Sequence, residues 1–478
     1  MSARRAFLSM MASRAVSLLI MLVGMAALGR LLDPEAFGHF AVLMAYFGLA
    51  KTLSEFGLRS YLVRTADISG RELSGATGLS LAISAAICGL GVLLFLGLPN
   101  SLVPAEMALA ALPLALALLV SNFSLGTEML LHRGLDFDLI SQVSVGRVIA
   151  ESGISIFLAA MGYGATALAW GFLAGHLAFG AALFLCRGPS DRIWPGIGGW
   201  RDYATFGTRL STTQVLPSAG EIAVTSIVSV MLGTATMGLL NRAQTIQKII
   251  DRTLFEGILP VVLPAMSAAL ARGVPPMQLY SKQIDYLVAI CWPGFAVIAL
   301  LADPLVYVLL GPNWDETVAA VRLLAIAGVA MPFTKMSLKL FVALGLESVY
   351  LRITIAMQIT RVVFVAVAAL ISFNAVCLAI SLALITKAVN IAWAVETHVG
   401  RGADRLWAAS RGVLLAVATC IGPAIILLLG LDPFLTVVLS IPVCAAFWTG
   451  TIFALDHPLA AELRMLGQNL RTRHRVRG

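Results

Sequence analysis

Ionisable side chains recur inside stretches that are otherwise apolar, and their spacing is that of helix faces. Over 235–263, Asn241, Gln244, Thr245, Lys248, Asp251 and Arg252 fall on one side of a helix turning about 100° per residue. Arg242 and Gln247 flank that arc, while Ala243, Ile246, Ile250 and Leu254 fill the opposite side. Arg242 and Lys248 sit near mid-stretch. Such a face either lines a wet cavity or forms an ion pair inside a bundle, Lys248 with Asp251. Over 140–161, Ser144, Arg147, Glu151 and Ser155 share a face, and the i, i+4 spacing of Arg147 and Glu151 also suits a salt bridge within one helix. Lys51 and Glu55 repeat that spacing. Gln214, Ser218, Glu221 and Thr225 align in the same way. Glu221 has no basic neighbour in its own stretch, so it must borrow a cation or hold a proton. It is the first candidate for cation or proton coupling, with Glu151 and Glu55 beside it. Arg361, next to Gln358, lies deep in its stretch. Arg14, Arg209, Lys335, Lys339 and Lys387 lie nearer helix ends, where long basic side chains can snorkel to the headgroups.

The balance of these groups carries the chemistry. An Arg or Lys at mid-bilayer costs about 2.5–3.5 kcal/mol on the insertion scale, so such residues face water or a partner. Basic residues outnumber acids inside the apolar stretches. A cavity of net positive charge attracts an anion, and Arg and Lys are the usual ligands of phosphate. The cationic set is Arg242, Lys248, Arg361, Arg147, Lys51, Arg14 and Arg209. A cavity for cationic drugs would instead present unpaired acids. No Walker motif, GxSxG or HExxH occurs, so neither ATP hydrolysis nor these hydrolase chemistries is indicated, and the chain does not read as an enzyme. The six cysteines stand singly in apolar runs without CxxC or a Cys/His cluster; they read as small buried hydrophobes, with no metal site, disulfide framework or cofactor implied.

What must hold these residues is a membrane-embedded bundle. The chain has 478 residues, of which 59% are hydrophobic and 12% charged. An ordinary soluble domain carries about 25% charged residues, and disorder requires the opposite composition. The chain therefore reads as an all-α polytopic membrane protein. The net charge of +8 is not arranged as a basic patch interleaved with aromatics, so nucleic acid is not expected. About fourteen stretches are long enough to cross a bilayer: 8–31, 36–58, 73–98, 104–130, 140–161, 164–186, 202–231, 235–263, 283–302, 317–344, 350–371, 374–396, 407–430 and 434–456. Numbering their ends alternately puts Arg4, Arg5, Arg59, Arg64, Arg71, Arg133, Arg187, Arg192, Arg201, Arg272, Lys282, Arg352, Arg401 and Arg405 on one side, together with the arginine-rich C-terminal tail. The other side receives one basic residue, Arg30, and the acids Asp33, Glu35, Asp303, Asp315, Glu316 and Asp432. The asymmetry predicts that both termini are cytoplasmic. The first stretch is too long and too late for a cleaved signal peptide. Outer loops are short, the longest from about 303 to 316, which argues against an outer catalytic domain. The tail arginines are expected on anionic lipid headgroups.

A weak repeat runs through the chain. Leu31-Leu32-Asp33 leads through Phe37-Gly38 into a new helix, and 200 positions later Met231-Leu232-Gly233 leads through Met237-Gly238 into another. At the same offset Phe56-Gly57-Leu58 faces Glu256-Gly257-Ile258. The implied organisation is a six-helix bundle over 1–198, a second over 199–400, and two further helices with a basic tail over 401–478. An even number of spans per block makes the repeats parallel. Pro217, Pro260, Pro264, Pro293 and Pro332 interrupt spans and are expected to kink them.

Several short motifs then fit one family. Arg30-Leu31-Leu32-Asp33-Pro34-Glu35-Ala36-Phe37-Gly38 resembles the opening signature of the polysaccharide transporter family, the Wzx-like flippases of the MOP superfamily. Leu62-Val63-Arg64, Leu263-Pro264-Ala265-Met266-Ser267, Leu310-Gly311-Pro312-Asn313-Trp314 and Ala343-Leu344-Gly345 fit the same pattern, over roughly residues 10–400. The resemblance implies a MATE-like fold of two six-helix bundles around a central cavity. It implies transfer of a polyprenyl-pyrophosphate-linked oligosaccharide across a bacterial inner membrane for exopolysaccharide or O-antigen-type biosynthesis. Partners would be that lipid-linked oligosaccharide, membrane lipids, and polysaccharide polymerase and export proteins. In the MurJ branch, basic residues on the first, second and eighth helices serve the pyrophosphate; the resemblance implies that part here for Arg14, Lys51, Arg242 and Lys248. The last two helices would form a groove for the lipid tail. The rival readings are a MATE-type cation-coupled drug exporter, a membrane polysaccharide polymerase or ligase, and a non-transporting scaffold.

Overall fold

The computed structural model describes residues 3–55, 70–97, 105–133, 137–186, 192–198, 200–251, 255–400 and 405–464. All regular elements among the described residues are helices. They are α1 (Ala3–Leu31), α2 (Pro34–Glu55), α3 (Gly70–Gly97), α4 (Ala105–Phe123), α5 (Leu125–Arg133), α6 (Phe137–Ala160), α7 (Gly164–Cys186), α8 (Trp200–Leu232) and α9 (Thr234–Ile250). After these come α10 (Glu256–Ala271), α11 (Pro276–Leu300), α12 (Ala302–Leu309), α13 (Asp315–Ala325), α14 (Met331–Ala343), α15 (Glu347–Ala369), α16 (Phe373–His398), α17 (Arg405–Leu428) and α18 (Pro433–Ala454).

Local chemistry sets the helix starts. Asp33 Oδ1 accepts the Ala36 N–H at 2.8 Å and Pro34 opens α2. Asp432 Oδ1 accepts the Phe434 N–H at 2.9 Å and Pro433 opens α18. The same Asp-Pro device starts both, because a side-chain oxygen satisfies an orphan donor and proline has none to satisfy. A single residue, Gly233, joins α8 to α9, and its φ of 93° is open to glycine without strain.

By length and composition, 11 described helices can cross a membrane, or 13 when two bent pairs each count as one span. The pairs are α4–α5, bent by 47°, and the run from Pro312 through α14, bent by 40°. The chain is a multi-pass membrane protein. The expected stretch 235–263 is divided between α9 and α10, with α9 only 17 residues long. Pro332 differs from expectation: it sits in the first turn of α14, beyond the bend, where its missing N–H interrupts nothing. The α4–α5 bend at Ser124 falls where no proline marks the sequence. The connection at 303–316 is largely helical, formed by α12 and a 3-10 turn over Pro312–Trp314.

The chain forms two compact units. The first comprises 1–242, 309–313 and 365–370; the second comprises 243–308, 314–364 and 371–478. In the first, α2, α4 and α7 enclose Phe47, Leu114, Leu118, Phe172 and Leu173, with Ala110, Ala117 and Ala169 allowing close approach. A buried polar network ties three helices of this unit. Asn122 Nδ2 reaches Ser54 Oγ at 2.9 Å and Ser84 Oγ at 2.6 Å, and Ser80 Oγ donates to Asn122 Oδ1 at 2.9 Å. The strap at 192–198 docks on α3 and α5: Gly196 N donates to Ser74 O at 2.9 Å and Ile193 N to Thr127 Oγ1 at 3.2 Å. In the second unit, α11, α14 and α16 enclose Tyr280, Leu287, Cys291, Phe295, Met336, Leu340, Phe341 and Ile391. The cysteines are mixed: Cys291 and Cys377 are buried, as the apolar runs suggest, but Cys186 at the end of α7 is exposed.

Candidate functional site

Arg242 is the best-defined cation of the first unit. It lies eight residues into α9, or about 12 Å at 1.5 Å per residue. Its guanidinium stacks 4.2 Å from the centroid of the Phe37 ring, and Nη2 donates to Asn241 Oδ1 at 2.6 Å. Nε is buried without a hydrogen-bond partner among the described residues. A cation–π contact contributes about 0.5–2 kcal/mol, depending on solvation. That offsets part of the insertion cost and leaves a planar fork of donors suited to phosphate. Phe37 is itself 1% exposed, so the ring presents a fixed face. The expected apolar side of α9 is observed, with Ala243, Ile246 and Ile250 buried.

The other basic residues of the first unit fall into two classes. Lys51 Nζ is 3.8 Å from Glu55 Oε1, and Arg147 Nε is 4.0 Å from Glu151 Oε2. These four side chains therefore form ion pairs within their own helices. Arg147 and Lys51 both act electrostatically on the buried His176 of α7, as does Glu128. His176 is held structurally: Nδ1 lies 2.9 Å from Phe172 O, and its ring packs 4.4 Å from Phe172. Ser218 on α8 shares a 3.1 Å hydrogen bond with Thr52. Glu221 is half-buried one turn further along and is engaged in an interaction. Arg14 is half-buried on α1, with Nη1 unpartnered among the described residues. Arg209 is in α8, but its side chain, like that of Gln214, is outside the described residues.

In the second unit Asp251 has a partner on another helix. Asp251 binds Lys335 of α14, with Nζ at 2.8 Å from Oδ1 and 3.1 Å from Oδ2, while Lys248 is exposed. Lys335 also lies 5.6 Å from the Phe255 ring centroid, and Lys387 lies 5.4 Å from that of Tyr350. Arg361 and Lys335 both act electrostatically on Lys387, so three cations on three helices share one region. Gln247 Nε2 donates to Leu324 O at 2.9 Å, which fixes the flank of the α9 arc. Sequence periodicity placed Arg242 and Arg361 on helix faces but carried no signal for the pairing of Asp251 with Lys335.

Comparison with known proteins agrees with this architecture. Residues 27–319 match the family model for polysaccharide biosynthesis proteins. The lipopolysaccharide biosynthesis protein WzxC of Escherichia coli (strain K12) is 23% identical over 314 residues, 64% of this chain and 63% of that protein. The match thus spans less than two thirds of the relative's length. Among solved structures, the lipid II flippase MurJ in an inward closed conformation superposes with a TM-score of 0.76 at 14% identity, over 95% of this chain and 99% of that one. An inward-facing multidrug resistance MATE family transporter of the MOP superfamily gives 0.59 at 17% identity, over 80% and 93%. A MOP superfamily transporter from Pyrococcus furiosus gives 0.57 at 17% identity, over 81% and 94%. The fold is MurJ- and MATE-like, and, with the family model covering well over half of its length, the chain belongs to the polysaccharide biosynthesis protein family.

Proposed function

We propose that the chain is a flippase for a polyprenyl-pyrophosphate-linked oligosaccharide. It works by alternating access through a cationic cavity and serves exopolysaccharide or O-antigen-type biosynthesis. The observation that carries this reading is Arg242: a guanidinium on α9, oriented by Phe37 and Asn241, with Nε buried and unpartnered among the described residues. Pyrophosphate and sugar hydroxyls cannot cross hydrocarbon unaided, because burying unpaired charge and polar groups costs too much. A wet basic path shields them while the prenyl tail stays in lipid. Arg14, Lys51, Arg147, Arg209, Lys248 and Arg361 are the further candidates along that path. Glu221, Glu151 and Glu55 are the coupling candidates, the last two ion-paired within their own helices. The likeness to a lipid II flippase and to MATE family transporters supports a transporter rather than an enzyme.

The proposal places the protein in a bacterial inner membrane with both termini cytoplasmic. Its bundles are 1–198 and 199–400, followed by the helix pair and tail of 401–478, and polymerase and export proteins act downstream.

Mass spectrometry of lipids from a strain lacking the gene tests the reading. A polyprenyl-pyrophosphate repeat unit should accumulate on the cytoplasmic side, and wild type but not Arg242→Ala should clear it. Clearance by Arg242→Ala would keep the flippase and reject the site. No accumulation, with altered sensitivity to cationic toxins, would overturn the flippase in favour of a drug exporter.

A further inference from the structure

The strap at 192–198 turns its backbone to the protein and its two largest side chains away from it. Ser74, near the start of α3, holds it twice: Gly196 N donates to Ser74 O at 2.9 Å, and Ser74 Oγ donates to Trp194 O at 2.7 Å. A Cβ on Gly75 would overlap Gly198 O, and one on Gly78 would overlap Gly196 O. The strap carbonyls thus rest on the α3 backbone, an approach that only glycine permits. Ile193 is the inward side chain, buried among Leu73, Ala76, Leu125 and Met129.

Trp194 and Ile197 are 62% and 92% exposed, and no large apolar side chain among the described residues is more exposed than Ile197. Trp194 meets the rings of Phe123 and Phe184 edge-on, with centroids 5.9 and 5.7 Å away, at the ends of α4 and α7. Leu185, next to Phe184, is exposed as well. With the backbone seated on α3, these side chains stay outward and form an apolar patch that an external surface can cover.

Depth and charge select the cover. Ser74 and Gly78 lie four and eight residues inside the Gly70–Leu93 span, and Phe184 lies two residues inside the Gly164–Cys186 span. At 1.5 Å per residue these positions are about 6, 12 and 3 Å from the span ends. The 24-residue span of α3 measures about 36 Å, against a hydrocarbon core of about 30 Å. The strap therefore lies where the core gives way to headgroups, the level at which Trp is enriched. Arg71 is exposed and runs along the strap, since a Cβ on Gly198 would stand 3.0 Å from its Cγ and Nε. Arg192 is the strap's own cation, and 192–198 contains no acid. A cationic rim beside an apolar pair matches an anionic phospholipid, with its phosphate towards Arg71.

We propose that the strap is an interfacial anchor. Trp194 and Ile197 enter the boundary between headgroups and acyl chains, and Arg71 holds an anionic phospholipid headgroup beside them. Through Ser74 and Thr127 the anchor ties α3 and α5 to one leaflet. The anchor is independent of what the chain transports.

The test uses the full chain in nanodiscs of phosphatidylcholine with phosphatidylglycerol, carrying a nitroxide at Ile197→Cys in a background free of native cysteines. Power-saturation electron paramagnetic resonance reads its collisions with oxygen, which concentrates in lipid, and with a nickel chelate, which stays in water. The references are Ile359→Cys, exposed midway along α15, and Asn313→Cys, exposed in the turn before α13. The oxygen-to-nickel collision ratio at Ile197 should exceed that at Asn313 several-fold and fall below that at Ile359. A ratio equal to that at Asn313 puts the strap in water and overturns the anchor. Low collision rates with both reagents mean a protein cover, a second copy of the chain included, and overturn it too. For the headgroup, a bimane at Ile197→Cys should be quenched more by spin-labelled phosphatidylglycerol than by spin-labelled phosphatidylcholine, and Arg71→Gln should abolish the difference. Equal quenching by the two lipids, or a difference that survives Arg71→Gln, overturns the anionic contact. Arg71 and Ile197 are both exposed, so neither change touches the core.

Discussion

Gly38 of α2 and Gly238 of α9 meet reciprocally, 200 positions apart in a chain whose repeat has that offset. A Cβ on Gly38 would overlap Thr234 O and come within 3.2 Å of Gly238 N. A Cβ on Gly238 would overlap Pro34 O and come within 3.0 Å of Gly38 N. Each helix thus receives the first turn of the other, and only glycine permits the approach. The crossing also brings Phe37 beneath Arg242.

Gly38→Ala and Gly238→Ala should each destabilise the protein, because the obstructing atoms are backbone and cannot rotate away. Overpacking of this kind costs about 1–3 kcal/mol. Gly48→Ala on the same helix meets nothing within 4 Å and should leave the melting temperature unchanged or slightly raised. Thermal unfolding in detergent compares the three.

Phe37→Leu should weaken clearance of the lipid-linked intermediate less than Arg242→Ala does. It removes the ring face, about 0.5–2 kcal/mol, while keeping the cation. Arg242→Lys should also fall short of wild type, since an ammonium lacks the planar fork. The intermediate level in complemented deletion strains ranks these variants.

Asn122→Leu should cost more than its loss of hydrogen bonds alone. The buried Ser80 hydroxyl would lose its acceptor, while Ser54 and Ser84 keep bonds to Lys51 O and Ser80 O, and a buried polar group left without compensation costs about 1–3 kcal/mol. Replacing Asn122 and Ser80 together with apolar residues should recover part of the loss, as unfolding midpoints would show.

Lys335→Met and Asp251→Asn should couple. The pair is only partly exposed, and removing either partner strands a charge near the other cations. A double-mutant cycle should show an interaction of roughly 0.5–3 kcal/mol; additivity within error would mean that Asp251 is solvated without Lys335.

A membrane-impermeant maleimide should label Asn313→Cys in intact cells and should label Ser348→Cys only after permeabilisation, both in a background free of native cysteines. Both positions are exposed, so side of the membrane rather than burial sets the outcome. The reverse result would invert the proposed orientation.

Composition and periodicity were enough to read several features directly. Twelve per cent charge in a 59% hydrophobic chain leaves a membrane bundle as the one solvent-compatible state, and the Asp-Pro starts of α2 and α18 are local events settled within four residues. The arc on α9 was legible for the same reason, since a helix fixes which side chains share a face. A face does not name its neighbour. That Asp251 binds Lys335, 84 residues away, is decided by which helix packs opposite. The bend at Ser124 and the docking of the strap at 192–198 likewise arise from packing between elements. Trp194 and Ile197 are two apolar residues among many in the sequence; only the seat of the strap carbonyls on α3 turns their side chains outward.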